Sequence, residues 1–291
     1  MNESTSKGVN KFVTLADGTS LPAIGQGTWN IGENPNNQTD EIKALQLGVE
    51  LGMSLIDTAE MYGHGASELL IGKAIEAIRQ DVFLVSKVYP QKASKEGASK
   101  ACENSLKRLK TDYLDLYLLH WRGSVPLEET VAVMEQLKKA GKIKRWGVSN
   151  FDIDDMQELW HLTNGQHCCV NQVLYNLGSR GIEFSLLPWC KQHNVSIMAY
   201  CPIAQGGSLT KKLLSNKVVS DLAKTKQCTI MQLLLAWCIR NGQVIAIPKA
   251  VNKQHVYENA QAASITLTEQ ELTLLDSEFN PPEYKMPLDI V

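Results

Sequence analysis

The sequence lacks the features that mark exported, membrane-spanning and nucleic-acid-binding proteins. No apolar run approaches the roughly 18 residues that cross a bilayer, and residues 1–11 lack the apolar core of a signal peptide. Basic residues are not in excess, since 29 Lys and Arg stand against 31 Asp and Glu and the net charge is -2 at pH 7. Such a chain has no surplus charge with which to neutralise phosphates. We therefore expect a cytoplasmic protein that binds neither nucleic acid nor a membrane surface.

Cysteine spacing gives no sign of a metal site or of a disulfide framework. The seven cysteines form no CxxC pair and show no spacing typical of zinc ligands. An odd number of cysteines in a chain without an export signal indicates reduced thiols. The expectation is that the protein holds no metal.

What the sequence does contain is a regular alternation of strand-like and helix-like segments. Asp17-Gly18 between the apolar runs 12–15 and 21–24 predicts a β-hairpin. Counting the run at Ile24, the pattern then predicts eight strands, the other seven at 53–57, 82–87, 113–120, 143–149, 168–172, 195–200 and 244–248. The predicted helices cover 39–52, 69–78, 98–109, 127–141, a segment from 153, 182–192 with an interruption at Pro188, 229–240 and 272–279, with an insertion at 201–226.

This alternation predicts an α/β fold. Each helical crossover makes the strands on either side of it parallel, and eight parallel strands close a (β/α)8 TIM barrel. We predict one such domain over residues 1–291, with the N-terminal hairpin, accessory helices and a flexible tail at 1–11. The alternative, an open doubly wound sheet, is less favoured because no glycine-rich phosphate loop follows any strand. Gly25-Gln26-Gly27 resembles the start of such a loop, but Asn30 stands where the third glycine should be.

Polar side chains end the apolar strands one after another. Active sites of (β/α)8 barrels lie at the C-terminal ends of the strands, so we expect these side chains to meet in one pocket. The set is Thr28, Asp57, Lys87, His120, Ser149, Asn150, Gln172, Tyr200 and Lys249.

Asp57, Lys87 and His120 could act together with Tyr62, which would then serve as a general acid. Each residue also has a structural interpretation: Asp57 and Lys87 as an ion pair, His120 as an ordinary buried histidine. Tyr62 alone could be a packed aromatic residue. Together, a buried ammonium would lower the pKa of the phenol, and the carboxylate would stabilise the ammonium. Tyr62 would then donate a proton to a carbonyl that His120 orients.

Reduction of such a carbonyl would need a nicotinamide or flavin at the same rim, because side chains supply no hydride. Ser149, Asn150 and Gln172 carry the mixed donors and acceptors that a carboxamide needs. Tyr200 offers a flat face for the ring. Lys249 follows the eighth strand, where these barrels commonly bind phosphate at the start of a following helix, expected here near His255.

With these motifs assembled, the sequence resembles the aldo-keto reductase family from residue 12 to about residue 279. Within the family it is most similar to the bacterial broad-specificity aldehyde and 2-oxoaldehyde (methylglyoxal-type) reductases. Most of the motifs are weak alone, but their order and spacing are specific. They are Gly25-Gln26-Gly27-Thr28-Trp29, Asp57-Thr58-Ala59 with Tyr62-Gly63, Ser86-Lys87, Leu118-Leu119-His120-Trp121, Gly147-Val148-Ser149-Asn150-Phe151, Asn171-Gln172, Ala199-Tyr200-Cys201-Pro202 and Ile247-Pro248-Lys249.

The resemblance implies NADPH-dependent reduction of aldehydes and ketones to alcohols. Its catalytic tetrad would be Asp57, Tyr62, Lys87 and His120, with Tyr62 protonating the carbonyl oxygen as hydride leaves C4 of the nicotinamide. The substrate would lie against Trp29, Tyr62, His120 and Trp121. The cofactor contacts would be Gly27, Thr28, Trp29, Asp57, Ser149, Asn150, Gln172, Tyr200, Cys201, Pro202, Ile203, Gln205, Gly206, Lys249, Ala250, Val251, Asn252, His255, Glu258 and Asn259, the last two at the adenine.

Departures from the family pattern refine these expectations. Ala250 and His255 stand where NADPH-selective members often carry serine and arginine, so NADPH is expected with weaker use of NADH. Cys201 replaces a usual serine. Segments 122–126 and 280–291, which shape the pocket in this family, are short here. The expected substrates are therefore small aldehydes, including 2-oxoaldehydes.

Two other functions fit parts of the pattern. Barrels of this type can serve as nucleotide-sensing regulatory subunits, although an intact tetrad favours catalysis. A metal-dependent hydrolase would use Asp57 and His120 as ligands, although Lys87 would compete with the cation. For the reductase, the expected partner is a small-molecule carbonyl substrate, and the chain is expected to be a monomer.

Overall fold

The computed structural model describes residues 8–291. The described end of the predicted N-terminal tail is tied to the rest of the fold. The Val9 amide donates to the Leu51 carbonyl at 3.0 Å, and Lys11 Nζ donates to the Ile265 carbonyl at 2.6 Å. The remainder of that predicted tail lies outside the described residues.

The predicted hairpin closes the end of the molecule opposite the candidate site. Strands β1 (Phe12–Thr14) and β2 (Ser20–Pro22) pair antiparallel, with Val13 opposite Leu21. Asp17 Oδ2 accepts a hydrogen bond from Arg145 Nε at 2.5 Å. Because Arg145 precedes a barrel strand, the hairpin lies at the N-terminal ends of the strands.

Eight parallel strands form one barrel, and each pairs with the next along the chain. The barrel closes between the first and last strands, where the Gly25 amide donates to the Ala246 carbonyl at 2.8 Å and the Gly27 amide donates to the Pro248 carbonyl at 3.1 Å. A Cβ at Gly27 would lie 2.6 Å from the Ile247 carbonyl oxygen, so only glycine lets the two segments approach this closely. The predicted (β/α)8 barrel is confirmed, and the open-sheet alternative is wrong. The strands are β3 (Gln26–Gly27), β4 (Leu55–Asp57), β5 (Phe83–Val88), β6 (Leu116–Leu119), β7 (Trp146–Ser149), β8 (Cys168–Leu174), β9 (Ser196–Tyr200) and β10 (Val244–Ala246).

Barrel strands are covered on both faces, by the interior side chains and by the surrounding helices. Strands β5 and β8 are accordingly buried along their whole length. A charged residue in such a strand needs partners that satisfy its charge. Lys87 in β5 is a charged residue of this kind.

Eleven α-helices lie outside the barrel in the described part of the chain. They are α1 (Gln38–Glu50), α2 (Ala66–Ile75), α3 (Lys95–Leu109), α4 (Leu127–Lys139), α5 (Ile153–His161), α6 (Leu186–Gln192), α7 (Gly207–Ser215), α8 (Lys217–Thr225), α9 (Ile230–Cys238), α10 (Lys253–Ala262) and α11 (Glu269–Glu278). Within residues 8–291, none of these helices combines the length and the apolar character that a bilayer crossing requires.

One helix prediction was wrong in its starting residue, and the structure adds detail to the predictions in two other places. Helix α6 begins at Leu186, so Pro188 lies in its first turn, where a backbone N–H has no intrahelical partner and its loss does not interrupt the helix. The insertion at 201–226 contains α7 and α8. Helix α10 begins at Lys253, next to His255, near which a helix start was expected; Asn252 caps it by accepting a hydrogen bond from the Gln254 amide at 2.8 Å.

Candidate active site

A cavity of about 360 Å³ opens at the C-terminal ends of the barrel strands. Eight of the nine predicted strand-end residues line it, and the ninth, Lys87, is fully buried behind Asp57 and Tyr62. Trp29, Tyr62 and Trp121 also line this cavity. Barrel geometry therefore gathers the residues that end separate strands at one place.

Lys87 is the centre of the hydrogen-bond network behind the cavity. Its Nζ donates to Asp57 Oδ2 at 2.7 Å, to the Thr58 carbonyl at 2.8 Å and to Tyr62 Oη at 3.1 Å. An ammonium group has three N–H bonds, and all three are used. Because the phenol oxygen accepts from Lys87, the proton of Tyr62 is left to donate to another acceptor.

The Tyr62 phenol and the Lys87 ammonium both keep their protons at neutral pH. Burial raises the pKa of Tyr62, the Lys87 charge lowers it, and the pKa remains above its ordinary value. The predicted lowering is wrong, because desolvation of a phenolate outweighs its attraction to Lys87, and the charge of Asp57 adds to the rise. Burial also lowers the pKa of Lys87, but Asp57 and Tyr62 outweigh it and raise that pKa above its usual value.

Asp57 is held from two sides. Its Oδ2 accepts from Lys87, and its Oδ1 accepts from Gln172 Nε2 at 2.7 Å. The same Nε2 lies 2.9 Å from Met198 Sδ, a second acceptor, which fixes the orientation of the amide. Gln172 Oε1 is then the atom that remains for a donor in the cavity, such as a carboxamide N–H.

The other polar residues predicted to hold a carboxamide are fixed by hydrogen bonds. Ser149 Oγ donates to the Gln172 carbonyl at 2.8 Å, and Asn150 Nδ2 donates to the His120 carbonyl at 3.1 Å. Tyr200 Oη donates to Asn150 Oδ1 at 2.8 Å. Asn150 has φ +57°, a left-handed conformation that asparagine adopts more readily than most residues. Residues locked in this way present a preorganised polar surface to a ligand.

His120 is a neutral imidazole. Burial and the nearby Lys87 charge lower its pKa to about 3. Its Nδ1 is buried and has no hydrogen-bond partner among residues 8–291, which leaves Nε2 as the nitrogen that can reach the cavity. A neutral ring protonated at Nε2 can donate to a carbonyl oxygen.

The low pKa of His120 predicts a pH profile. Because its pKa lies at about 3, the ring binds a proton only below the usual assay range. We expect kcat/KM with an uncharged aldehyde to show no step from His120 between about pH 5 and 8. His120→Gln should lower kcat/KM without changing the shape of the profile in this interval. A step near about pH 6.5 that disappears in His120→Gln would contradict the prediction.

Seven of the predicted cofactor residues do not line this cavity: Gly206, Ala250, Val251, Asn252, His255, Glu258 and Asn259. All but Gly206 lie on α10 or in the segment that leads to it from Lys249, which does line the cavity. Their contacts with a cofactor stay predictions.

Six residues that line the cavity were not predicted: Asn30, Met61, Ala204, Ile247, Pro248 and Val291. Four of them, Asn30, Met61, Ala204 and Pro248, adjoin predicted residues in sequence, and Ile247 lies in the Ile247-Pro248-Lys249 motif. Val291 was not named as a site residue, although it lies in segment 280–291, which the resemblance implicates in the shape of the pocket. It reaches the cavity because the C-terminal segment crosses the rim, where Lys285 Nζ pairs with Asp154 Oδ2 at 2.6 Å and Asp289 bonds with Ser179.

Metal-ligand clusters are not found among residues 8–291. No three His, Cys, Asp or Glu side chains of this part of the chain come together as a possible metal site. Asp57, the ligand that a metal-dependent hydrolase would need, already accepts from Lys87 and Gln172.

The profile of the Aldo/keto reductase family matches residues 23–278. The chain belongs to the aldo/keto reductase family. Methylglyoxal reductase YeaE of Escherichia coli is 53% identical over 281 residues, which cover 97% of this chain and 99% of that protein. An NADH-specific methylglyoxal reductase of the same species is 32% identical and covers 88% of this chain and 94% of its own. The crystal structure of an aldo/keto reductase from Klebsiella pneumoniae in complex with NADP and acetate matches with a TM-score of 0.95 at 52% identity, covering 97% of this chain and 100% of that one.

Family membership gives the class of reaction. As an aldo/keto reductase, the chain is an NAD(P)H-dependent oxidoreductase that acts on carbonyl groups. The predicted resemblance is confirmed.

Proposed function

We propose that this aldo/keto reductase reduces small aldehydes, including 2-oxoaldehydes, to alcohols with NADPH, and that Tyr62 is the general acid. The observation that carries the proposal is the use of all three Lys87 N–H bonds, one of them on Tyr62 Oη at 3.1 Å. This bond directs the phenol proton away from Lys87, and Tyr62 lines the cavity. The raised pKa of Tyr62 keeps that proton in place until a carbonyl oxygen develops negative charge.

His120 would orient the carbonyl. The Tyr62 and His120 rings lie edge to face with their centroids 6.0 Å apart, so both can reach one oxygen atom between them. A neutral Nε2–H adds a second hydrogen bond without competing for the proton of the phenol.

The residues present fit a nicotinamide. Gln172 Oε1 can accept a hydrogen bond from the carboxamide N–H, and Ser149 and Asn150 are fixed nearby by hydrogen bonds. The Tyr200 ring forms part of the cavity wall. Bound NADPH would supply the hydride that side chains lack. The protein would hold the ring, exclude water and deliver the proton from Tyr62.

The shape and charge of the cavity favour small uncharged carbonyl compounds. Trp29, Met61 and Trp121 give it apolar walls. Arg122, the next residue after Trp121, is not free to bind a substrate anion, because it pairs with Glu158 at 2.7 Å and Asp155 at 3.1 Å. The methylglyoxal reductases among the relatives support the 2-oxoaldehyde assignment.

Isotope transfer tests the proposed reaction directly. The enzyme is mixed with methylglyoxal, a simple aldehyde or a ketone, together with NADPH or NADH carrying deuterium at C4. We expect deuterium on the carbinol carbon of the product, one alcohol per NADPH consumed, and faster initial rates with NADPH and with the aldehydes. NADPH binding without consumption on any of these substrates would refute the proposal and favour a nucleotide-sensing protein.

Lys249 is expected to set the preference for NADPH. Loss of a charge-assisted hydrogen bond to the 2′-phosphate costs about 1.5–3 kcal/mol, so Lys249→Met should raise KM for NADPH about ten- to hundredfold. KM for NADH, which lacks this phosphate, should not change. Lys100→Met is the matched control, because Lys100 is an exposed lysine of α3 that does not line the cavity and is not among the predicted cofactor contacts. An equal loss with both cofactors would contradict the prediction.

A further inference from the structure

Tyr62 lies in a loop whose backbone needs support from outside. The three residues that follow it all have positive φ: Gly63 at 55°, His64 at 51° and Gly65 at 92°. Glycine adopts this conformation freely, but a residue such as His64 does so at a cost of about 1–2 kcal/mol. Contacts with other elements must therefore keep Tyr62 beside Lys87.

Glu68 provides a charged contact of this kind. It lies in the first turn of α2, and its side chain is completely buried. Its Oε1 accepts from Ser86 Oγ at 2.6 Å, and its Oε2 accepts from Arg108 Nε at 2.6 Å. Ser86 precedes Lys87 on β5. Glu68 therefore joins the helix that follows the Tyr62 loop to the strand that carries Lys87.

Arg108 extends this link to the loop itself. A Cβ at Gly65 would lie 2.7 Å from Arg108 Cδ, so the arginine side chain lies directly on the loop backbone. Glu68 holds Arg108 in this position through their ion pair. Ser67 adds uncharged ties nearby, with its Oγ 2.9 Å from Thr28 Oγ1.

We propose that Glu68 is a positioning residue that, through Ser86 and Arg108, keeps Tyr62 Oη within hydrogen-bond distance of Lys87 Nζ. Glu68 does not line the cavity, so it acts only through these neighbours. The proposal rests on the proposed role of Tyr62 as general acid. A displacement of about 1 Å at a reacting group can cost on the order of a hundredfold in rate, so a small shift of the loop would be measurable.

A double-mutant cycle tests this proposal. Glu68→Gln and Arg108→Gln are each made in the natural sequence and in Tyr62→Phe. We expect each single variant to lower kcat about ten- to hundredfold, while KM for the aldehyde and Kd for NADPH stay within about twofold. In the Tyr62→Phe background neither should lower the residual rate further, because the group that they position is already gone. Arg108→Gln, at a partly exposed site, serves if Glu68→Gln does not fold.

Asp115→Asn is the matched control. Asp115 Oδ2 accepts from Arg79 Nη2 at 2.9 Å and from the Leu84 amide at 3.0 Å, so it is a similar buried ion pair near the other end of β5. It should lower stability and leave kcat unchanged. Three results would overturn the positioning role and leave the general-acid role of Tyr62 standing. They are an unchanged kcat in Glu68→Gln and Arg108→Gln, an equal loss of kcat in the Tyr62→Phe background, and an equal loss of kcat in Asp115→Asn. Full activity of Tyr62→Phe alone would overturn both.

Discussion

Tyr62→Phe is expected to remove nearly all aldehyde reduction while NADPH still binds. The change removes one oxygen atom, the one that accepts from Lys87 at 3.1 Å and carries the proton for the substrate. General acid catalysis typically contributes about 10²–10⁴-fold, so kcat should fall by that factor. Kd for NADPH should not change, because Tyr200, Gln172 and Lys249 are untouched. Stopped-flow and steady-state measurements of NADPH oxidation, together with NADPH titration by fluorescence, would check both parts.

Tyr117→Phe is the control for this prediction. Unlike the partly buried Tyr62, Tyr117 is completely buried, its Oη has no hydrogen-bond partner among residues 8–291, and it does not line the cavity. Its removal should leave kcat unchanged and should not lower stability. Undiminished turnover in Tyr62→Phe would reject Tyr62 as the acid. An equal loss of kcat in both variants would show that the effect comes from packing.

The position of the site could be predicted because the C-terminal ends of all strands in a parallel barrel lie at the same rim. A residue that ends a strand lies at the C-terminal rim whatever its side chain is, so Asp57, His120, Gln172 and Tyr200 could be placed together from the strand pattern alone. The roles of individual side chains did not follow in the same way. Gln172 was expected to serve a carboxamide, and its contact with Asp57, 115 residues away in sequence, depends on packing inside the barrel.

The pKa of Tyr62 shows why the chemistry of the site was harder to predict than its location. The pattern revealed a cation beside a phenol and suggested a lowered pKa. It did not reveal how deeply the phenol is buried, and burial is the larger effect. Glu68 was missed for a related reason. A carboxylate in the first turn of a helix resembles an ordinary solvated residue, and its contacts with Ser86 and Arg108 form only in the folded protein.

Lys87→Met is expected to damage activity and stability together. The side chain of Lys87 is completely buried and that of Asp57 is 2% exposed, so removing the ammonium leaves a carboxylate with Gln172 as its remaining side-chain donor. Breaking a buried ion pair from one side typically costs about 3–5 kcal/mol, and the free energy of unfolding should fall by that amount. Reduction should be lost as well, since Tyr62 loses the donor that orients its proton. Urea unfolding followed by tryptophan fluorescence and rates of NADPH oxidation would measure the two effects.

The double variant Asp57→Asn, Lys87→Met separates those two effects. Asp57→Asn removes the unpaired buried charge that Lys87→Met creates, so the double variant should regain most of the lost free energy of unfolding. It should regain no activity, because the ammonium beside Tyr62 is still missing. If the double variant is as unstable as Lys87→Met, lost packing rather than an unpaired charge explains the instability. If either variant keeps normal turnover, the buried pair serves the fold alone and Tyr62 needs no neighbouring cation to protonate the substrate.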